Sequence, residues 1–177
     1  GSDNADYTSL AVDKTNGYLY SVWDAAGEVF LSQYNKTEWS ATIKIGAGMM
    51  PKIQMGTDGI AHIVWHAVGS QKLQYVSWSS GKNFSNIEDL PISANGNDVD
   101  NVIDAAMDRF NRFHVIWRND TFVQYVMRSN LSWSQPEIVN QVNTAFMPAK
   151  AGASVWVAPT GIVNVAWVSN TGANNEV

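Results

Sequence analysis

Short runs rich in β-branched and aromatic residues, separated by turn residues, dominate the hydrophobic pattern of the chain. In one representative stretch, Lys52–Met55 predicts a first strand and Ile60–Trp65 a second. Between them, Thr57-Asp58-Gly59 predicts a turn in which glycine supplies a positive φ. Leu73–Trp78 predicts a third strand, and the stretch from Ile87 to Ile92 holds a fourth. No segment keeps a 3.6-residue apolar period beyond two turns, so almost no helix is expected.

A strand that ends in tryptophan recurs four times along the chain. In every copy a turn residue stands six positions before the tryptophan, and successive tryptophans are 42, 52 and 50 residues apart. The copies superpose without a gap: Gly17–Trp23, Gly59–Trp65, Asn111–Trp117 and Gly161–Trp167. In three copies an aromatic residue of the next strand follows as a second anchor: Phe30, Tyr75 and Tyr125. Repeating four-stranded units of this length predict an all-β fold made of antiparallel β-propeller blades.

The repeat divides the chain into three units and part of a fourth. We predict a lead-in over residues 1–6, whose first two residues resemble a scar of tag removal, and blades over 7–48, 49–96 and 97–145. Residues 146–177 then form half a blade. About three and a half blades cannot close a ring, because sheet edges and one blade face stay unpaired. Either the chain is a fragment of a longer protein, or two copies complete one propeller of seven blades.

The second unit resembles the BNR, or sialidase-like, propeller repeat. In that repeat a strand pair of the form hydrophobic-Asp-x-x-Gly-x-x-His-Val-Val-Trp precedes a strand ending in an Asp-box, and residues 50–65 are the closest copy. The Asp-box itself, Ser-x-Asp-x-Gly-x-Thr-Trp, is eroded: the segment from Ser77 to Phe84 keeps the Ser and the Gly but has Ser79 in place of Asp. The resemblance covers nearly the whole chain and implies a propeller. It implies no single activity, since such folds serve glycosidases, lyases, lectins and structural receptors.

Composition and charge exclude several classes of function. The chain has no cysteine, which excludes disulfides, thiolate nucleophiles and cysteine-bound zinc. Its net charge of −5 argues against a nucleic-acid backbone or an anionic membrane as the main partner. No apolar run approaches the length needed to span a membrane.

The arginines argue against a sialidase centre. In sialidases, arginines from different blades bind the substrate carboxylate, whereas all four arginines here lie in the third unit and no Arg-Ile-Pro motif occurs. No pair of a nucleophile and a base is visible either. We therefore predict no catalytic residues in this chain.

A ligand-binding rim is predicted from the residues that follow the repeated tryptophans. Asp24, His66 and Arg118 directly follow three of them, at the mouth of the loop between the second and third strands. In propellers these loops share a face with the connections that enter each blade, where ligands usually bind. The alternative is that solvated loop ends carry these charges without a function. Trp78 is added to the predicted site because it does not follow the repeat.

An acidic cluster at the entrance to the third unit completes the predicted site. Asp98 and Asp100, with Asp104 nearby, are predicted to contact ligand. Alternating oxygen side chains also suit Ca²⁺, but a polar loop needs no ion, so no cofactor and no metal site is expected. The histidines do not form a metal set: His62 and His114 share one repeat position and are predicted to be packed polar residues between blades. The strand-ending tryptophans are predicted to be core residues.

These observations favour a non-catalytic recognition module for a glycan or a protein, from an extracellular or cell-surface protein. One alternative is part of a glycoside hydrolase or polysaccharide lyase whose active site is completed outside this chain. A second is a structural or assembly domain. The open propeller ends predict self-association or pairing with a missing propeller segment.

Overall fold

The computed structural model describes residues 6–70, 72–91, 99–119, 122–141, 152–167, 169–170 and 175–176. All regular secondary structure in these ranges is β, as predicted. Within the same ranges no helix has the length and apolarity needed to cross a membrane. The chain forms two compact units: the first runs to Leu90 and includes the turn Arg109–Asn111, and the second contains Pro91–Asp108 and the chain from Arg112 onward.

The first unit contains two four-stranded antiparallel sheets, each a simple meander in chain order. The strands of the first blade are β1 (Thr8–Val12), β2 (Leu19–Ala25), β3 (Glu28–Tyr34) and β4 (Ile43–Ala47). Those of the second blade are β5 (Met49–Met55), β6 (Ala61–His66), β7 (Leu73–Trp78) and β8 (Glu88–Asp89).

The second unit contains the third blade and the described strands of the fourth. The third blade consists of β9 (Val99–Met107), β10 (Phe113–Asn119), β11 (Phe122–Ser129), β12 (Ser132–Trp133) and β13 (Glu137–Gln141). Both β12 and β13 pair with β11, so the outermost strand is split into two pieces. In the fourth blade β14 (Ala153–Val157) pairs with β15 (Val163–Trp167), and a separate small sheet joins β16 (Ser169–Asn170) to β17 (Asn175–Glu176).

The turn residue of the repeat has the same conformation in all four copies. Gly17, Gly59 and Gly161 have φ values of 75°, 75° and 91°, and Asn111 has a φ of 59°. A left-handed backbone is costly for most residues but accessible to glycine and, to a lesser degree, asparagine. This requirement explains why only glycine and asparagine occupy the position six residues before each tryptophan.

Within each unit, the two blades pack face to face through an apolar core. In the first unit, Tyr20, Val22 and Leu31 on one face of the first blade pack against Ile63 and Trp65 on the facing side of the second. In the second unit the same face of the third blade packs against β14 of the fourth blade. The joint is therefore built alike in both units, with the tryptophan on the side of the following blade.

Two of the four repeated tryptophans are core residues. Trp65 and Trp117 are fully buried, which confirms the predicted packing role for these two. Trp65 donates a hydrogen bond from Nε1 to the carbonyl of Ala47, at 3.2 Å, at the end of the outermost strand of the first blade. Trp23 and Trp167 are only partly buried.

The second anchor of the repeat differs between blades. Tyr75 and Tyr125 stand opposite the residue before the tryptophan, whereas Phe30 stands opposite Trp23 itself. Because side chains alternate between the two faces of a strand, this one-residue offset puts Phe30 on the opposite face. The structural equivalent of the two tyrosines is Leu31, which lies opposite Val22.

Candidate functional site

A pocket opens on the tryptophan-bearing face of the first blade. Its volume is about 390 Å³, and it lies across the first three strands of that sheet and the segment that joins the third strand to the fourth. Two indoles and five hydroxyl-bearing side chains line it: Trp23 and Trp39, with Thr8, Ser21, Ser32, Ser40 and Thr42. None of these lining residues carries a charge.

The pocket exists because two positions of this face hold serine where the other blades hold aliphatic residues. Ser21 pairs with Ser32 across the first blade. The corresponding pair is Ile63 with Val76 in the second blade and Val115 with Val126 in the third, and all four of these aliphatic side chains are fully buried. Replacing two branched aliphatic side chains by serines removes volume and adds hydroxyl groups at the same place.

The pocket walls are held by local contacts. Ser32 donates from Oγ to the carbonyl of Ser40 at 3.0 Å, which ties the third strand to the chain that follows the turn. Trp23 stacks on Phe30 with ring centroids 5.9 Å apart, and Trp39 packs on Tyr34 at 5.4 Å. Trp39 is 50% exposed, so one indole remains available to a ligand while its neighbours fix its position.

This combination of groups suits a neutral polyhydroxylated molecule. An indole ring offers a flat apolar surface with an electron-rich face. Serine and threonine hydroxyls both donate and accept hydrogen bonds. Binding pockets are commonly apolar and aromatic, with a few polar groups that orient the ligand.

This pocket was not predicted from the sequence, because Trp23 was expected to be a core residue like the other repeated tryptophans. The usable signal was the pair of serines at the two positions that are aliphatic in the second and third units.

Asp24, predicted as an exposed rim residue, is buried, with 3% of its surface accessible. Its Oδ1 accepts a hydrogen bond from the backbone N–H of Met50 at 3.3 Å, where the chain enters the second blade. Met50 has a φ of 56°, so the carboxyl group holds a left-handed residue in place. Burial raises the pKa of Asp24 above its ordinary value. The exposure assumed for this residue was wrong, and its binding role stays a prediction.

Replacing Asp24 should distinguish this anchoring contact from a surface role. Asp24→Ala leaves a buried N–H without its acceptor and is expected to cost about 1–3 kcal/mol in unfolding free energy. Asp24→Asn keeps an acceptor and removes a charge that burial disfavours, so at pH 7 it should be at least as stable as the parent. Urea unfolding of both variants measures the difference. Equal stability of the alanine variant and the parent would contradict the anchoring role.

His66 lies beside the segment where the chain enters the second blade. It pairs with Met49, the residue before the one that Asp24 holds. His66 is half-buried, and burial lowers its pKa. Arg118 belongs to the second unit and is buried, with 5% of its surface accessible, which also corrects its expected exposure. Their binding roles stay predictions.

Trp78 has a packing role in the structure. It is 7% exposed and lies in the core between the first two blades, edge-on to Tyr20 with ring centroids 5.9 Å apart. Its Nε1 donates to the carbonyl of Lys82 at 2.8 Å. Its ligand contact, like those of the other predicted residues, stays a prediction.

The structure describes only part of the acidic cluster. Asp98 lies outside the described residues, and Asp100 is described only as part of the backbone of β9. Asp104 has a structural contact, because its Oδ2 accepts hydrogen bonds from the Val155 N–H at 2.9 Å and from Ser154 Oγ at 2.7 Å. No group of three metal-ligating side chains occurs among the residues that the structure describes.

The repeated histidines are packed polar residues, as predicted. Nδ1 of His62 lies 2.8 Å from the hydroxyl of Tyr75, and Nδ1 of His114 lies 2.8 Å from that of Tyr125. His114 is 1% exposed, and its Nε2 lies 3.4 Å from buried Asp108. Burial lowers the pKa of His114, and this outweighs the opposite effect of Asp108.

The lowered histidine pKa values predict acid sensitivity. A histidine that is neutral in the folded protein but has its ordinary pKa of 6.5 when unfolded takes up a proton on unfolding below that pH. Stability should therefore fall as the pH is lowered through 6.5. His114→Asn, the residue found at this repeat position in the fourth blade, should weaken the dependence and leave the part due to His66. Melting temperatures at pH 7.5 and 5.5 test this, and an unchanged difference in the variant would refute the assignment to His114.

Comparisons with known proteins place the chain by its fold. No protein-family model matches the sequence, and no curated protein is significantly similar to it. The chain is similar to the lectin of Aleuria aurantia, a six-bladed β-propeller, with a TM-score of 0.63 and 12% identity, covering 96% of this chain and 58% of the lectin.

Two carbohydrate-active enzymes have a similar structure. For a Hadza microbial sialidase the TM-score is 0.56 at 11% identity, over 91% of this chain and 39% of the enzyme. For the α-L-arabinanase of Penicillium chrysogenum it is 0.57 at 10% identity, over 96% of this chain and 60% of the enzyme. The chain thus spans between two fifths and three fifths of these structures. Such low identities establish the fold alone: the chain is built of β-propeller blades, and it is shorter than the propellers that it resembles.

Proposed function

We propose that this chain is a non-catalytic carbohydrate-recognition module, and that the pocket on the first blade binds the saccharide. The observation that carries the proposal is the replacement of a buried aliphatic pair by Ser21 and Ser32 beside Trp23 and Trp39. A serine pair weakens the packing of a blade face but provides hydrogen-bond donors and acceptors beside two indoles.

The chemistry of the pocket matches that of a sugar ring. One side of a pyranose presents C–H groups that can stack on an indole, while its hydroxyls need partners at the edge. Trp39 supplies an exposed indole, and the serine and threonine hydroxyls surround it. A lectin, a sialidase and an arabinanase are among the proteins of similar structure, which supports a carbohydrate ligand without identifying it.

Further attributes accompany this proposal. The proposal also includes membership of the BNR repeat family, an extracellular or cell-surface location, and self-association or pairing with a missing propeller segment. A protein ligand is the alternative to a glycan. A role as part of a glycoside hydrolase or lyase is the alternative to pure recognition.

The test is a glycan array followed by calorimetry with the best glycan. Trp39→Ala should reduce affinity at least tenfold, and Ser32→Val, which restores the residue of the second blade, should do the same while leaving the fold intact. Phe110→Ala, which removes an exposed aromatic ring outside the pocket, is the matched control and should bind like the parent. Glycan binding that survives both pocket changes would refute the site. Cleavage of the bound glycan would refute the non-catalytic role.

A further inference from the structure

Within both units, consecutive blades are joined by the same hydrogen bond. The backbone N–H of Ile53 in the second blade donates to Oγ of Ser9 in the first, at 3.3 Å. The backbone N–H of Val155 in the fourth blade donates to Oδ2 of Asp104 in the third, at 2.9 Å. In each case an innermost strand donates from its backbone to a side-chain oxygen on the innermost strand of the preceding blade.

The strand registers show that these two bonds occupy equivalent positions. Both donors stand opposite the residue two before the tryptophan, since Ile53 pairs with Ile63 and Val155 with Val165. Both acceptors stand opposite the residue one before it, since Ser9 pairs with Val22 and Asp104 with Ile116. In both units the joint is therefore defined by a donor position on one first strand and an acceptor position on the first strand of the preceding blade.

The first blade presents the donor side of this joint without a cover. Leu10, which pairs with Ser21, occupies the donor position of β1. It is 58% exposed, whereas its equivalents Ile53 and Val155 are 0% and 5% exposed. Val12, two residues along the same face, is 46% exposed. These side chains are apolar, as on a face that another blade covers, but they are exposed to solvent.

The fourth blade presents the acceptor side. Ser154, which pairs with Ala166, occupies the acceptor position of β14, and both residues are exposed. Trp156, next on the same face, is 56% exposed. Trp156 pairs with the residue three positions before the repeated tryptophan of its blade. In the first and third blades the residues that pair with this position are Ala11 and Ala106.

We propose that a second copy of this chain covers the first blade with the outer face of its own fourth blade. The backbone N–H of Leu10 would donate to Ser154 Oγ of the other copy, which repeats the internal joint between molecules. This inference rests on the self-association proposed above and specifies the faces that meet. The arrangement is head to tail, because different faces of the two copies are joined.

The sizes of the side chains on the two faces favour a second copy as the occupant. The fourth blade carries Trp156 where the internal joints carry alanine, and the first blade carries Ser21 where they carry Ile63 or Val165. A larger side chain on one face thus accompanies a smaller one on the other. Both halves of the joint, with complementary changes in size, belong to the same sequence.

The joint and the saccharide pocket overlap on the first two strands of the first blade, where Thr8, Ser21 and Trp23 line the pocket. β14 and β15 are the first two strands of their blade, so the proposed contact lies over β1 and β2. Much of the pocket lining belongs to β3 and the chain that follows it: Ser32, Trp39, Ser40 and Thr42.

Cysteine cross-linking tests the joint directly, since the chain has no native cysteine. Leu10→Cys and Ser154→Cys both change exposed residues and should leave the fold intact. A short bis-maleimide should give a product of twice the monomer mass when the two variants are mixed, and little product with either variant alone. Leu10→Cys mixed with Leu131→Cys, whose site is 88% exposed, gives the background from random collision.

Light scattering on the parent chain separates failure of this joint from failure of self-association. A mass above the monomer, with cross-linking specific to the mixture and lost on adding Trp156→Asp to the Ser154→Cys chain, supports the joint. Self-association with no product above the background, or with efficient cross-linking of Leu10→Cys to itself, overturns the head-to-tail arrangement. A monomer at tens of micromolar overturns both. Glycan binding is measured on the Trp156→Asp chain, in which the joint is broken and the first blade stays uncovered, and it decides neither outcome.

Discussion

Trp65→Ala is expected to lower the unfolding free energy by about 3–5 kcal/mol, the range found for large-to-small changes in a core. The indole is fully buried between the first two blades, in contact with the core that includes Val22, Ile63 and Val76. Its loss leaves a cavity in that joint and removes the donor that holds the Ala47 carbonyl. The free energy comes from urea unfolding followed by tryptophan fluorescence and circular dichroism.

Trp39→Ala is the matched control for this change. Trp39 is also in the first unit, but it is 50% exposed, so its truncation should cost about 1 kcal/mol or less. Should Trp65→Ala unfold at the same urea concentration as this control, Trp65 would not have the central packing role that its burial indicates.

Gly48→Ala is also expected to lower the unfolding free energy, here because a side-chain atom is added and not removed. A Cβ at this position would lie 2.0 Å from Cδ1 of Trp65 and 2.7 Å from the carbonyl oxygen of His66. The indole is enclosed by the core, and the carbonyl belongs to strand β6, so neither can move without disturbing the joint. Overpacking of this kind costs about 1–3 kcal/mol, and more where backbone must shift.

Gly152→Ala is the control for the glycine substitution. A Cβ at Gly152 meets nothing within 4 Å, and the residue has no positive φ. The change should be neutral or slightly stabilising, because alanine restricts the unfolded chain. Gly48→Ala in the Trp65→Ala background should cost less than in the parent, since one of the two clashes is gone. Strict additivity of the two changes would show that Gly48 does not act through Trp65.

The sequence by itself determined the elements of this fold. The turn residue before each tryptophan strand is glycine or asparagine because the backbone there has a positive φ, a requirement that is local and therefore visible in the sequence. The strands follow from runs of β-branched and aromatic residues, whose preference for extended structure is also local. The packing of His62 and His114 could be inferred as well, since a position that varies among His, Tyr and Asn suits a core hydrogen bond better than a metal.

Only the tertiary structure decided which faces are covered. Asp24 and Arg118 were expected at a solvated rim, but both are buried, because exposure depends on the tertiary surroundings and not on the residue type. Phe30 differs from Tyr75 by one position of register, and alternation turns that offset into a change of face. The repeated tryptophan is a core residue in the second blade and lines the pocket in the first. The first blade covers Trp65, whereas the face that carries Trp23 is open. Burial is a property of the assembled blades, and the sequence of a single blade does not contain it.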